Sequence, residues 1–263
     1  MVCADVGAAL AEVATEAKVP ANRFGFLCSI GRRRNDTSLM TMHTIRIWDL
    51  PTRLFHWALA LCVFGLLITG TLGGTWMDWH LPLGYATLAL LAFRLVWGLL
   101  GGRWSRFTSF VYSPAALIAY LRGRARTEHR AGHTPLGALS VFALLTVLAS
   151  QVLTGLMSDD EIGLFGPLVR FVSGDTVSAA TGFHKDIGQY LVMGLVALHL
   201  MAIAWYALVK RQSLIKPMLS GDKHLPEAVP ASHDALPHRL LAAVLLGLCA
   251  AAVFWLVSAG YAA

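Results

Sequence analysis

Five stretches of this chain, Leu54 to Leu72, Leu81 to Leu100, Leu136 to Met157, Ile187 to Val209 and Leu240 to Val257, are apolar and almost free of charge. Each approaches the roughly 20 residues that an α-helix, rising about 1.5 Å per residue, needs to cross about 30 Å of hydrocarbon. The expectation is therefore an all-α membrane protein with five spans, surrounded by membrane lipid. Composition agrees. The 263 residues are 56% hydrophobic and 14% charged, against roughly 45–50% and about 25% in ordinary soluble domains.

A net charge of +6 raises the question of nucleic acid, and its distribution answers it. Arg103, Arg106, Arg122, Arg124, Arg126 and Arg130 fall between the second and third runs, and Lys210, Arg211, Lys216, Lys223 and Arg239 between the fourth and fifth. Asp78, Asp159, Asp160, Glu161 and Asp175 occupy the alternate loops, with Arg170 the main exception. This is the positive-inside pattern. It argues against nucleic acid and predicts a multi-pass membrane protein with a cytoplasmic N-terminus and the short C-terminal tail outside.

The expected organisation is an N-terminal extension over 1–42, a four-helix domain over 43–220, a cytoplasmic linker over 221–238, and a fifth span with a short outer tail over 239–263. Residues 1–42 hold mixed small and polar residues without a secretory apolar core, and Met40 or Met42 offers an alternative start. The linker has three prolines and three histidines. Asp49 is a candidate helix cap before Pro51, and Trp48 and Trp57 suit an interfacial aromatic belt. The segment SPAALIAYLRGR, apolar on one side and arginine-tipped, reads as an amphipathic helix lying on the cytoplasmic surface. Cys3, Cys28, Cys62 and Cys249 are scattered, with no C-x-x-C or C-x-x-C-H, which argues against covalent haem and thiol redox chemistry.

Ten histidines need sorting. His43, His129, His133, His224, His233 and His238 fall in polar segments and read as solvated surface residues. His56, His80, His184 and His199 lie in or at the ends of spans. Alternating span direction puts His80 and His184 near the outer face and His56 nearer the inner face. His199 follows His184 by 15 residues, roughly 22 Å of helix rise and only about 60° of rotation. The four thus sort into two depth-matched pairs, His80 with His184 and His56 with His199. Two facing imidazoles in a bundle core suit the two axial positions of a haem iron; taken singly, such histidines also suit interfacial positions or a proton relay. Gly84 and Gly188, each four residues after an outer histidine, are expected to let a flat macrocycle lie against the backbone, with Gly65 and Gly194 serving the inner site similarly. Arg94, inside the second run, costs roughly 2.5 kcal/mol or more if unpaired. A haem propionate or snorkelling to the interface would each satisfy it. Arg53 is similar but shallower, and Gln151 and Thr154 suit interhelical hydrogen bonds.

The segments IRIWDLPTRLFHW, HLPLGY, LLAFRLVWGLLGGRWSRFTSFV, HTPLGALSVFALL, GFHKDIGQYLVMGLVALH and LIKPMLSGDK, over about residues 43–223, resemble the bacterial cytochrome b561-type family, which includes the b-type cytochrome subunit of nickel-iron hydrogenases. The resemblance implies a four-helix transmembrane bundle holding two b haems, plus a fifth transmembrane helix, with His56, His80, His184 and His199 as iron ligands and Arg94 matching a basic position of the second span. It implies a spacing of 14 positions from the first fourth-span histidine to the second. The spacing of 15 found here would be absorbed by a π-bulge or a rotated imidazole.

The function expected is transmembrane electron transfer between membrane quinone and a redox partner, either a periplasmic cytochrome or a dehydrogenase or hydrogenase subunit. The chain would then be an electron-transfer cytochrome or an oxidoreductase subunit, with quinone as substrate. A homodimer is left open. Two other classes compete: a haem-free transporter or proton-relay protein, which would show inverted repeats or broken helices, and a structural anchor subunit of a redox complex, which would not accept electrons from a quinol analogue.

Overall fold

The computed structural model describes residues 42–124 and 131–262. The extension before residue 42, with Cys3 and Cys28, and the loop residues Arg126, His129 and Arg130 lie outside the described residues. The elements are β1 (His43–Arg46), α1 (Leu50–Leu72), α2 (Met77–Leu100), α3 (Pro114–Leu121), α4 (Pro135–Leu156), α5 (Gly174–Gly182), a π-helical turn (Phe183–Gly188), α6 (Gln189–Leu208), α7 (Ile215–Ser220), β2 (Asp222–Leu225) and α8 (Leu236–Tyr261).

Helix starts follow local chemistry. The Asp49 side chain accepts from Thr52 N and caps α1 with Pro51 in the first turn, and Thr134 does the same for α4 ahead of Pro135. Five rods are long and apolar enough to cross a membrane: α1, α2, α4, α8, and the continuous run Gly174–Leu208 formed by α5, the π turn and α6. Leu61 (74% exposed), Phe254 (74%) and Trp255 (71%) point away from the protein, a surface that suits lipid and not water. Inward, α1, α2, α4 and α6 share a core of Val63, Leu91, Leu148, Val152, Leu156 and Val192. α8 packs mainly on α2 and adds Ala242 to a second cluster with Phe55, Phe93 and Trp97. This is the expected four-helix bundle with a fifth helix outside it.

The end of the bundle where α1 begins is closed by structure that the sequence pattern did not announce. β1 and β2 pair antiparallel, His43 opposite Leu225 and Arg46 opposite Asp222. Gly221, at φ +90°, makes the turn into β2, a conformation glycine adopts without strain, and its carbonyl accepts from Ile47 N and Trp48 N at 2.9 and 3.1 Å. The segment read as a linker is thus folded onto the bundle. Ser232 donates from Oγ to Ile47 O, Trp104 donates from Nε1 to Pro230 O, and Arg46 and Arg239 both bond Asp234. Ile45, Ile47, Trp48, Trp104, Ala131 and Leu225 form a small core beneath. Trp48, expected in an interfacial belt, belongs to that core because its strand is held down by β2. This end is called the strand end below. The opposite, loop end is tied by Tyr261, whose hydroxyl donates to Phe165 O at 2.8 Å and bonds Tyr85 Oη at 2.9 Å. There the Asp160 carboxylate accepts from the amides of Ile162, Gly163 and Leu164, which hold it below its usual acidity range.

Candidate cofactor site: two facing histidine pairs

His80, one turn into α2, meets His184 of the π turn with ring centroids 6.2 Å apart and planes at 89°. His56, two turns into α1, meets His199 of α6 at 6.4 Å and 54°. A metal bound by imidazole nitrogen at about 2 Å from each side, with each nitrogen about 1.1 Å from its ring centre, separates the two centres by roughly 6.3 Å. Both gaps have that width. Among the described residues no three His, Cys, Asp or Glu side chains converge as a cage for a bare ion. A porphyrin iron needs only two protein ligands, so the donor set fits haem.

At the loop end the rings are held by hydrogen bonds that fix their tautomers. His184 Nδ1 lies 2.8 Å from Gln151 O; a carbonyl only accepts, so Nδ1 carries the proton and Nε2 keeps its lone pair. Thr69 Oγ1 donates its hydrogen to Gly65 O at 2.8 Å and lies 3.0 Å from His80 Nδ1. It therefore accepts from that ring, which leaves His80 Nε2 bare as well. Such a bond on the second nitrogen is the usual companion of a metal-bound histidine. Two glycines unremarked in the sequence make room. A Cβ on Gly155 would stand 2.8 Å from His184 Cε1, and one on Gly70 would stand 3.1 Å from His80 Cε1.

The strand-end pair is held differently. His56 Nδ1 is shielded from solvent and has no hydrogen-bond partner, and its ring stands edge-on to Trp57 at 5.2 Å. Trp57 Nε1 donates to Met218 O at 3.2 Å and Arg53 Nη1 donates to Leu219 O, so α7 is strapped to the first turns of α1.

Several expectations need correction. Gly188 does not face a macrocycle: a Cβ there would lie 1.9 Å from Gln151 Oε1 and 2.9 Å from the Phe183 ring. The π turn removes the four-residue alignment with His184 that an α-helix would have given. Gly84, in regular helix, does border open space, as does Gly194, whereas Gly65 abuts Leu83. Arg94, 4% exposed, is satisfied by the protein. It donates from Nη1 to Ser105 O at 3.0 Å and its guanidinium lies 4.7 Å from the Phe107 ring centre. Ser105 Oγ in turn donates to Asp49 Oδ2 at 2.6 Å, which places a buried carboxylate nearby. Neither a propionate nor the interface is required, because the loop after α2 folds back over the arginine. Gln151 bonds across helices, from Nε2 to His184 O at 2.9 Å, but Thr154 bonds only its own helix. His133, read as a surface residue, packs between Trp48 and Phe110 at 4.7 and 4.4 Å, its Nδ1 buried without a partner. Burial, with Arg94, Lys223 and His56 nearby, pushes its pKa down to about 3.

The profile of the prokaryotic cytochrome b561 family matches residues 47–221, a stretch that contains all four histidines. The chain belongs to this family. It is also similar to proteins named as probable Ni/Fe-hydrogenase B-type cytochrome subunits. The one from Bradyrhizobium diazoefficiens is 24% identical over 217 residues, covering 68% of this chain and 86% of the relative. Those from Azotobacter chroococcum and Cupriavidus necator are 27% and 25% identical, covering 67% and 66% of this chain and 87% and 85% of the relatives. Membership makes this protein a multi-pass, b-type membrane cytochrome of electron transfer. The family and the five long apolar helices agree with what the sequence implied.

Proposed function

We propose that this cytochrome holds two b haems, one between His80 and His184 and one between His56 and His199, and that it carries electrons between a redox protein at the loop end and membrane quinone. The observation that carries this reading is the pair of matched gaps, 6.2 and 6.4 Å. When bound, each haem would supply a one-electron couple, and the two imidazoles that would hold it leave no open site for oxygen or substrate. The chain's own part is to orient and enclose. Thr69 and Gln151 O keep the loop-end rings in one tautomer, Gly84 leaves open space beside α2, and α7, bonded to Arg53 and Trp57, covers the turns of α1 that carry His56.

Charge orients the chain. Arg103, Arg106, Arg122, Arg124, Lys210 and Arg211 gather at the strand end, while Asp78, Asp159, Asp160, Glu161 and Asp175 lie at the loop end. The strand end is then cytoplasmic and the loop end periplasmic, in a bacterial inner membrane. The names of the relatives favour a hydrogenase as the partner, and its place in this reading is the loop end.

The test is spectroscopic. Purified cytochrome should show a reduced b-type spectrum with two haems per chain. H80A and H199A should each lose one, H199A retaining the loop-end haem. Unchanged haem content in all four histidine variants would overturn the assignment.

A further inference from the structure

The two histidine pairs are not equivalent as donors. At the loop end both Nδ1–H groups are hydrogen-bonded to strong acceptors. One acceptor is a main-chain carbonyl at 2.8 Å, the other a hydroxyl at 3.0 Å whose own proton is already committed to Gly65 O. A hydrogen bond that draws on the Nδ1 proton pushes electron density toward Nε2 and makes the imidazole a stronger base toward a metal. At the strand end, His56 Nδ1 is buried with no acceptor at all.

We propose, on the two-haem reading above, that Thr69 and Gln151 are positioning residues that strengthen the loop-end ligands and give the loop-end site the lower reduction potential of the two. Stronger axial donation stabilises ferric over ferrous iron, and ligand hydrogen bonding and nearby charge are among the protein's means of setting a haem potential. Thr69 acts through its hydroxyl. Gln151 acts through its carbonyl, and its carboxamide anchors the π turn by donating from Nε2 to His184 O at 2.9 Å, which keeps the carbonyl and the ring in register.

The surrounding charge has the same sign of effect. Asp159, Asp160, Glu161, Asp175 and Asp186 stand at the loop end outside every ion pair among the described residues; Lys185, next to His184, and Arg170 are cations of opposite effect at that end, fewer than the five carboxylates. At the strand end Arg53 sits one turn from His56, and Arg94 and Lys223 lie close enough to His133 to act on it. Carboxylates disfavour the reduced iron and cations favour it. The resulting order, lower potential at the loop end, is the one that draws electrons from a loop-end donor toward the strand end.

The experiment is a redox titration of the purified holo-cytochrome, followed optically. Wild type should resolve two components. T69V, which keeps shape and removes the hydroxyl, should raise only the lower-potential component, by an amount on the order of the 59 mV that corresponds to a tenfold change in a one-electron equilibrium, with two haems per chain retained. T69S should restore the wild-type value. If T69V moves the higher-potential component or neither, the proposal is overturned. Should T69V shed its loop-end haem, H199A decides: its single remaining haem should titrate near the lower wild-type potential, and a value near the upper one overturns the proposal. Absence of haem from wild type would instead refute the two-haem reading, which keeps the two failures distinct.

Discussion

Arg46 Nη1 stands 2.6 Å from Asp234 Oδ2, joining the strand before the first span to the residue that precedes the fifth. Asp234 is 7% exposed at its side chain and also accepts from Leu50 N and from Arg239. One carboxylate thereby gathers β1, α1 and α8 at the strand end.

Replacing Asp234 by Asn should therefore loosen the cap. Charge-assisted hydrogen bonds contribute about 1.5–3 kcal/mol, and we expect D234N to lower stability by about 2 kcal/mol, measured as a fall in the thermal midpoint in detergent. Burial works against the charged Asp234, but its bonds to Arg239, Leu50 N and Arg46 outweigh it and depress the pKa. The stabilisation is thus complete above the ordinary aspartate range, near pH 4, and is lost as pH falls through the lower folded value. D234N should flatten that acid limb, and an unchanged limb would refute this role.

His133 should impose a second, separate pH dependence. Its pKa is lowered to about 3 by burial, with Arg94, Lys223 and His56 facing it. The unfolded chain binds the proton from about pH 6.5 downward while the folded one does not. Stability should therefore be full above pH 6.5 and decline toward pH 3, with a slope of at most about 1.4 kcal/mol per pH unit, the limit for a single proton. Thermal midpoints of wild type and H133F between pH 7 and 5 should diverge, the variant losing the slope.

Gly155→Val should empty the loop-end site selectively. Even a Cβ there comes within 2.8 Å of His184 Cε1, so the ring must turn away from His80. The expected result is one haem per chain instead of two, by pyridine haemochrome assay, with G174A as a control at a position where a Cβ meets nothing within 4 Å. Full haem content in G155V would show that His184 is not a ligand.

Arg94→Leu separates two roles for the arginine. Removing it leaves the Ser105 carbonyl without its charged donor and takes a cation from the neighbourhood of the buried Asp49 carboxylate, which bonds from Thr52, Trp97 and Ser105 still hold; a hydrogen bond from a charged group is worth about 1.5–3 kcal/mol. We expect broad destabilisation at both sites alike. Selective loss of the strand-end haem, with an unchanged thermal midpoint, would instead restore the propionate reading.

The parts of this fold that depend on local pattern were legible in the sequence. The five spans follow from run length, the pairing of His80 with His184 and His56 with His199 follows from depth, and the extra residue between His184 and His199 appears as the π turn Phe183–Gly188. What was not legible depends on distant partners. β1 and β2 are four residues each and 180 positions apart at Thr44 and His224, too short and too separated to carry a pattern. Once they pair, Trp48 and His133 become interior, and the loop after α2 covers Arg94. Gly188 departs from expectation for the opposite reason: four-residue spacing aligns it with His184 only in a regular α-helix, and the π turn Phe183–Gly188 is not one.

Because β1 waits for residues 222–225, the two-stranded cap cannot form until all four histidine-bearing segments have been synthesised. The nascent chain thus passes through a stage in which every one of those imidazoles exists while the two strands are still apart.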